Sequence, residues 1–454
     1  MSCLISAPAT GCGKTTLSLL ISCWAYSKGL RIQTFKVGPD YLDQQQLSSI
    51  GHPICRNLDI FLSGEEWVKK TFNTYSTKFD LTLIEGAMGL YEGLGSTHYS
   101  STAHVAKILG VPIIFIINAK GQVASLLALL KGFSNLDKGI SIRGIVFNNV
   151  NSERHKRLIQ EVFQDQPFEI LGFLPSDEKI LLRRGNLGLI SPLEGERQIN
   201  IDYFAEFAEK NLNMPLFLKF LLSFKRNTIE PRKAKFLRND SNKPIAIAED
   251  KIFHFQYPET KEFLNEIGIP LISWNIYKDE EIPEEASSVI IPGGFPEKYA
   301  QHISASQKSL NSLRKFYRKG FIYAECGGMM ILGDEIVDVN GIPHKMAGIL
   351  PFKAKKGKLS IGYRYIKGIS DYNKLKENQH FKGHEFHYWQ LDRDASNFDN
   401  NLNSDYKFYN PWEVKSWGTK YRKEGFSNKY LHASWIHLHF PSNREATNKF
   451  LIKI

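Results

Sequence analysis

Residues 3–17 read CLISAPATGCGKTTL, and this stretch sets the class of fold. A short apolar run, CLISAPA, enters a glycine-containing loop. The loop leads into TTLSLLISCWAYSKG (15–29), a helical pattern stopped by Gly29. Gly13, Lys14 and Thr15 form the second half of a phosphate-binding loop set between a strand and a helix. Its chemistry is electrostatic. Glycines let backbone N–H groups close round phosphate oxygens, the helix N-terminus adds positive potential, Lys14 offsets charge, and the Thr15 hydroxyl is a ligand for Mg²⁺. Thr10, Gly11, Gly13, Lys14, Thr15 and Thr16 are therefore the expected nucleotide contacts. Pro8 stands where the usual first glycine of the loop would be, and the strand–loop–helix context carries the reading despite it.

Working outward, RIQTFKVG (31–38), FDLTLIEGAMG (79–89), GVPIIFIINA (110–119) and IRGIVFNNV (142–150) read as strands ending in polar or glycine residues. STAHVAKILG (101–110) and QVASLLALLKGF (122–133) read as helices between them. This alternation predicts a parallel, doubly wound sheet, whose ligands bind at the carboxyl ends of the strands. Acids gather there: Asp40 and Asp43 past the second strand, Glu85 at the end of the third, and Glu92 in the loop after it. Beside a phosphate loop such carboxylates bind Mg²⁺, and Thr15, Asp43 and Glu85 are the expected ligands. Taken singly, each acid reads equally well as a helix N-cap or a solvated loop residue.

Residues 220–243 are rich in Lys, Arg, Asn and Ser with weak periodicity, and read as a linker between domains at 1–219 and 244–454. A second alternating unit follows: PIAIAED (244–250), YPETKEFLNEIG (257–268), IPLISW (269–274), ASSVIIPGG (286–294), SLNSLRKFYRKG (309–320) and FIYAECGG (321–328). From about Gly348 the tail is richer in aromatics and strand patterns. Cys326, after a strand and before two glycines, has the form of a nucleophile elbow. The following helix start is expected to lower the thiol pKa, and the N–H groups of Gly294 and Gly327 to form an oxyanion hole. The candidate base lies in HASWIHLHF (432–440), where period two puts His437 and His439 on one face.

The 454 residues are 42% hydrophobic with a formal charge of +11, which favours anionic ligands. No arginine-rich arm or nucleic-acid module is present, so small anions are expected rather than nucleic acid. The five cysteines show no CxxC spacing, which fits a reducing compartment and argues against a zinc site. No apolar run is long enough for a membrane span. The first residues lack a basic leader pattern, so a cytoplasmic protein is expected.

Eight stretches occur in one order: TGCGKT, FKVGPDYLD, RNLD, IEGAMGLYEG, PGGFPE, YAECGGMM, GHEFHY and ASWIHLHF. In these the chain resembles the cobyrinic acid a,c-diamide synthase family over essentially its whole length. The resemblance implies two α/β domains, each a mostly parallel doubly wound sheet. The first is a dethiobiotin-synthetase-like ATPase and the second a class I glutamine amidotransferase. It implies ATP and Mg²⁺ as cofactors, glutamine as ammonia donor, and cobyrinic acid as the substrate amidated at its a and c side chains. Neither nucleic acid nor membrane is an implied partner, and a homodimer is the assembly considered. Cys326 matches the family's nucleophile and His437 the histidine that activates it. His439 stands where many class I amidotransferases carry Glu, so a dyad is implied. Asp40, Asp43 and Glu85 match active-site acids, Glu92 is one methylene longer than the family's Asp, and Asn148 matches an adenine contact. Gln44 and Asn186 replace a usual proline and histidine. Alternatives are amidation of hydrogenobyrinate or of a nickel sirohydrochlorin, the related cobyric acid synthase, and a P-loop regulatory ATPase fused to an inactive amidotransferase module.

Overall fold

The computed structural model describes residues 2–51, 53–182, 184–185, 188–189, 192, 199–222, 243–369, 379–393 and 407–443. The chain forms two compact units, Met1–Lys233 and Ala234–Ile454. The helix Met214–Leu222 runs into the stretch read as a linker. Positions 223–242, and Asn186, lie outside the described residues.

In the first unit the strands are β1 (Ser2–Ser6), β2 (Ile32–Val37), β3 (Arg56–Leu58), β4 (Leu81–Glu85), β5 (Ile113–Asn118), β6 (Ile142–Asn148) and β7 (Glu169–Leu174). They form one sheet in the order β3-β2-β4-β1-β5-β6-β7, and every neighbouring pair is parallel. Such strands are buried on both faces and read as continuous apolar runs. In β1, Cys3 and Ile5 pack into one cluster with Leu17 and Leu20, while Leu4 packs into another with Phe35 and Val105. Each such leucine or isoleucine contributes about 1.5–3 kcal/mol by burial. β1 is central, so its carboxyl end delivers the phosphate loop to the middle of the sheet edge. Helix α1 (Lys14–Ser27) starts directly after that loop, and a short helix α2 (Leu42–Ser48) follows β2.

The second unit contains β8 (Ile245–Ala248), β9 (Leu271–Trp274), β10 (Ser288–Ile291), β11 (Phe321–Glu325), β12 (Lys353–Gly368), β13 (His380–Leu391), β14 (Phe426–Asn428), β15 (Leu431–Ser434) and β16 (His437–Leu438). Its main sheet runs β9-β8-β10-β11-β15-β14. The pairs are parallel except β14–β15. The expected mostly parallel sheet is thus present in each unit. The aromatic-rich tail adds something the sequence reading left unpaired: a mostly antiparallel sheet built on β12 and β13. β16 joins its edge, setting His437 opposite His384.

Candidate active sites

At the carboxyl edge of the first sheet lies a cleft of about 560 Å³ lined by Thr10, Gly11, Gly13, Lys14, Thr15 and Thr16, with Lys36, Asp40, Asp43, Met88 and Asn148 among the others. Every residue expected from the phosphate loop is there. Gly13 has φ 110°, in the left-handed region, and a Cβ on it would lie 2.5 Å from Asn148 Nδ2. Only glycine fits a backbone held so close to a neighbouring side chain. Asn148 donates from Nδ2 to the Cys12 carbonyl at 2.9 Å, so it supports the loop as well as lining the cleft. Lys14 Nζ donates to the Ala9 carbonyl at 3.2 Å and to the Met88 carbonyl. Burial and the nearby charge of Lys36 lower its pKa.

The carboxylates converge on a residue the sequence reading missed. Lys36, 2% exposed, donates to Asp43 Oδ2 at 2.5 Å, Glu85 Oε1 at 2.8 Å and the Gly86 carbonyl at 3.3 Å. Burial alone would lower its pKa, and the charges of Asp43 and Glu85 outweigh it and hold the ammonium protonated. Asp43 is held low, its burial outweighed by Lys36. Asp40, lacking such a contact, is pushed up to about 7 by burial and by the charge of Asp43. Asp40 Oδ1 also accepts from the Asp43 N–H at 2.9 Å, so it caps the turn into α2 while lining the cleft. Glu92 is exposed and is not a lining residue. Its carboxylate folds over Gly89, where a Cβ would meet Glu92 Oε2 at 2.1 Å and the Pro8 carbonyl at 2.5 Å.

Among the described residues no group of three or more His, Cys, Asp or Glu side chains is arranged to hold a metal alone. Mg²⁺ bound with a nucleotide needs only one or two protein carboxylates, because water and phosphate complete its shell. Thr15 Oγ1 lies 2.7 Å from Glu85 Oε1. Glu85 Oε2 is buried without a hydrogen-bond partner. Thr15 and Glu85 therefore fit such an ion, with Asp43 next to them through Lys36.

In the second unit, Cys326 directly follows β11 with φ 49° and ψ −112° and precedes the one-turn helix Gly327–Met330. Left-handed φ at a non-glycine residue stores strain, and here the surroundings enforce it. The Cys326 N–H donates to the Ser434 carbonyl at 2.7 Å, and its own carbonyl accepts from Met329 and Met330. A Cβ on Gly327 would lie 2.8 Å from the Gly294 carbonyl oxygen and 3.0 Å from its nitrogen. The two glycines expected to form an oxyanion hole are therefore neighbours. The thiol differs from expectation. It is 3% exposed, and burial together with the Glu297 charge pushes its pKa well up, outweighing the Gly327 N–H bonded to it. A helix of one turn has too little dipole to reverse this. The resting group is a thiol, and it needs a base.

His437 is fully buried, its ring against Gly293, where a Cβ would meet Cε1 at 2.4 Å. His384 stacks on it with ring centroids 4.8 Å apart. The next residue along β13, Glu385, is buried and receives Arg364 Nε at 2.5 Å and also Arg422. The strand ends at Leu438, and His439 follows it with extended backbone. Its Nδ1 meets Ser442 Oγ at 2.8 Å, its ring packs on Tyr257, and burial lowers its pKa to about 3. Glu325 Oε2 lies 3.4 Å from His437 Nδ1, a contact absent from the sequence reading. Its only sequence signal is a glutamate next to the elbow cysteine.

Residues 3–186 match the CobQ/CobB/MinD/ParA nucleotide binding domain family, and 244–445 the CobB/CobQ-like glutamine amidotransferase domain family. A protein of Caldanaerobacter subterraneus subsp. tengcongensis, named cobyrinate a,c-diamide synthase, is 33% identical over 99% of this chain and 97% of its own length. The chain belongs to the cobyrinate a,c-diamide synthase family. Relatives of the same name from Synechocystis and Synechococcus are each 32% identical over 99% of this chain, and over 92% and 98% of their own lengths. As a member of the cobyrinate a,c-diamide synthase family it is a glutamine-dependent, amide-forming ligase that binds nucleotide through its first unit. The phosphate-loop cleft lies within the first matched segment, and Cys326, Glu325 and His437 within the second. No helix among the described residues is long and apolar enough to cross a membrane.

Proposed function

We propose that this ligase amidates the a and c carboxylates of cobyrinate, using ATP and ammonia from glutamine, as a cytoplasmic enzyme with domains at 1–219 and 244–454. The observation that carries the reading is the occurrence of a strained thiol elbow and a phosphate-loop cleft in one chain that aligns almost end to end with relatives of that name.

Cys326 Sγ attacks the glutamine carboxamide carbon as its proton passes to His437, the general base. Gly294 and Gly327 N–H groups meet the oxyanion. The C–N bond breaks, His437 returns the proton to the leaving nitrogen, and ammonia departs from a glutamyl thioester. Water then attacks the thioester carbon, giving a proton to His437. The C–S bond breaks, the sulfur takes that proton, and glutamate leaves. Because the resting thiol is neutral, proton transfer has to accompany attack.

In the first unit a substrate carboxylate oxygen attacks the γ-phosphorus of ATP, ADP leaves, and an acyl phosphate forms. Ammonia attacks its carbonyl carbon, phosphate leaves, and the surplus proton passes to solvent. Lys14 and Lys36 place two positive charges at the cleft, where catalysis is largely positioning and electrostatics. Mg²⁺, held by Thr15, Glu85 and Asp43, would neutralise charge on the phosphates. Asn148 is assigned to adenine, and Asp40 and Glu92 to orienting the reacting groups.

Cys326→Ser tests the division of labour. Glutamine-driven amidation is expected to vanish while ammonium-driven amidation remains. Loss of both in a folded protein would overturn the reading.

A further inference from the structure

We propose that Glu325 is the residue that orients His437, so that the base acting on Cys326 belongs to a three-residue set and not to a pair. This rests on the reading of Cys326 and His437 given above. Glu325 is the last residue of β11, immediately before the elbow. It is 6% exposed and His437 is fully buried. Its Oε1 accepts from the Tyr323 hydroxyl at 2.7 Å and from the Leu438 N–H at 3.1 Å. The second donor follows His437 directly in the chain, so the carboxylate is pinned to the strand that carries the base. The other oxygen, Oε2, faces His437 Nδ1 at 3.4 Å. That separation is longer than a formed hydrogen bond, and such contacts tighten when imidazolium charge develops. A carboxylate at Nδ1 keeps the proton there, presents Nε2 as the basic nitrogen, and stabilises the protonated ring.

Among the described residues, the groups named here round the ring are engaged otherwise. His384 stacks on the ring face, and Gly293 lies against its edge. Glu385 is held by Arg364 and Arg422. Position 439, two residues past the base, holds a histidine turned to Ser442 and Tyr257.

The test is glutamine hydrolysis by the full chain in Glu325→Gln and Glu325→Asp, with glutamine affinity measured by calorimetry in the Cys326→Ser background. Glu325→Gln is expected to lower kcat by about 10²-fold or more while KM and Kd stay within about twofold. Glu325→Asp, which keeps the charge, should recover part of kcat. If Glu325→Gln does not fold, Tyr323→Phe removes one anchor of Oε1 and is expected to lower kcat about threefold to tenfold with the same split from KM. Parent-like kcat in Glu325→Gln, or in its absence parent-like kcat in Tyr323→Phe, would overturn the inference, as would losses confined to KM and Kd. Glutamine hydrolysis surviving in Cys326→Ser would instead remove the thiol reading itself.

Discussion

Gly328→Ala perturbs the elbow without touching a reacting group. A Cβ on Gly328 would lie 2.2 Å from the Ile291 carbonyl oxygen, 2.7 Å from that of Pro292 and 2.8 Å from the Ile291 carbonyl carbon. All three atoms are backbone. Ile291 ends β10, which is paired on both sides, with β8 and β11, so it cannot recoil as a side-chain tip would. Restoring an ordinary contact requires the start of the helix Gly327–Met330 to move by about 1 Å, and a misplacement of that size costs about 10²-fold in rate. In activation free energy this is about 2.7 kcal/mol. Overpacking itself should cost about 1–3 kcal/mol of stability in the second unit. The assay is glutamate release for the glutaminase reaction, run beside ATP-dependent amidation from ammonium salt, with urea unfolding as the fold control. Glutaminase kcat is expected to fall about a hundredfold, with ammonium-driven amidation little changed. Parent-like glutaminase would refute the claim that the Gly327–Gly328 backbone is pressed against β10 in the working enzyme.

Lys14→Ala should abolish ATP-dependent amidation from either nitrogen source while glutaminase persists, since phosphate charge is then unmatched in a poorly solvated cleft; undiminished ATP turnover would sink the loop assignment. Glu92→Gln is expected to lose diamide synthesis and keep glutaminase, and parent-like synthesis would place Glu92 outside the chemistry. Glu385→Gln tests the buried ion cluster. Burial would raise the Glu385 carboxyl, but His387, Arg422 and Arg364 hold it well below the usual carboxylate range. Its stabilisation is therefore full above its unfolded pKa of about 4.3 and is lost as pH falls from there toward the folded value. The variant should be about 3 kcal/mol less stable at neutral pH, because it leaves buried guanidinium unpaired. That gap should shrink below about pH 4 in urea titrations, and a gap constant with pH would contradict the cluster's electrostatic role.

The phosphate loop was legible because its chemistry is local: Gly13, Lys14 and Thr15 are adjacent, and strand and helix patterns flank them. The parallel sheets were legible because strands buried on both faces leave unbroken apolar runs. Lys36 was not, since a single lysine in IQTFKV reads as an exposed edge residue until two acids from other segments close on it. The sign of the thiol shift was hidden for a similar reason. The sequence shows a helix start after Cys326 but not how deeply the sulfur is buried, nor that Glu297 approaches it. His437 and His439 alternate as a strand predicts, and the strand ends between them, while the contact of His439 with Ser442 is one the period does not show. The tail showed strand patterns, but its pairing depends on partners far apart in sequence, such as Gly383 with Leu438 and Tyr365 with Lys415.

The most direct test of the proposed activity is mass spectrometry of cobyrinate incubated with the enzyme, MgATP and glutamine labelled with nitrogen-15 in its amide. The expected product carries two labelled amides, formed only when ATP is present and absent with Cys326→Ser. Unchanged cobyrinate, in a preparation that still hydrolyses glutamine and turns over ATP, would contradict the assignment of substrate.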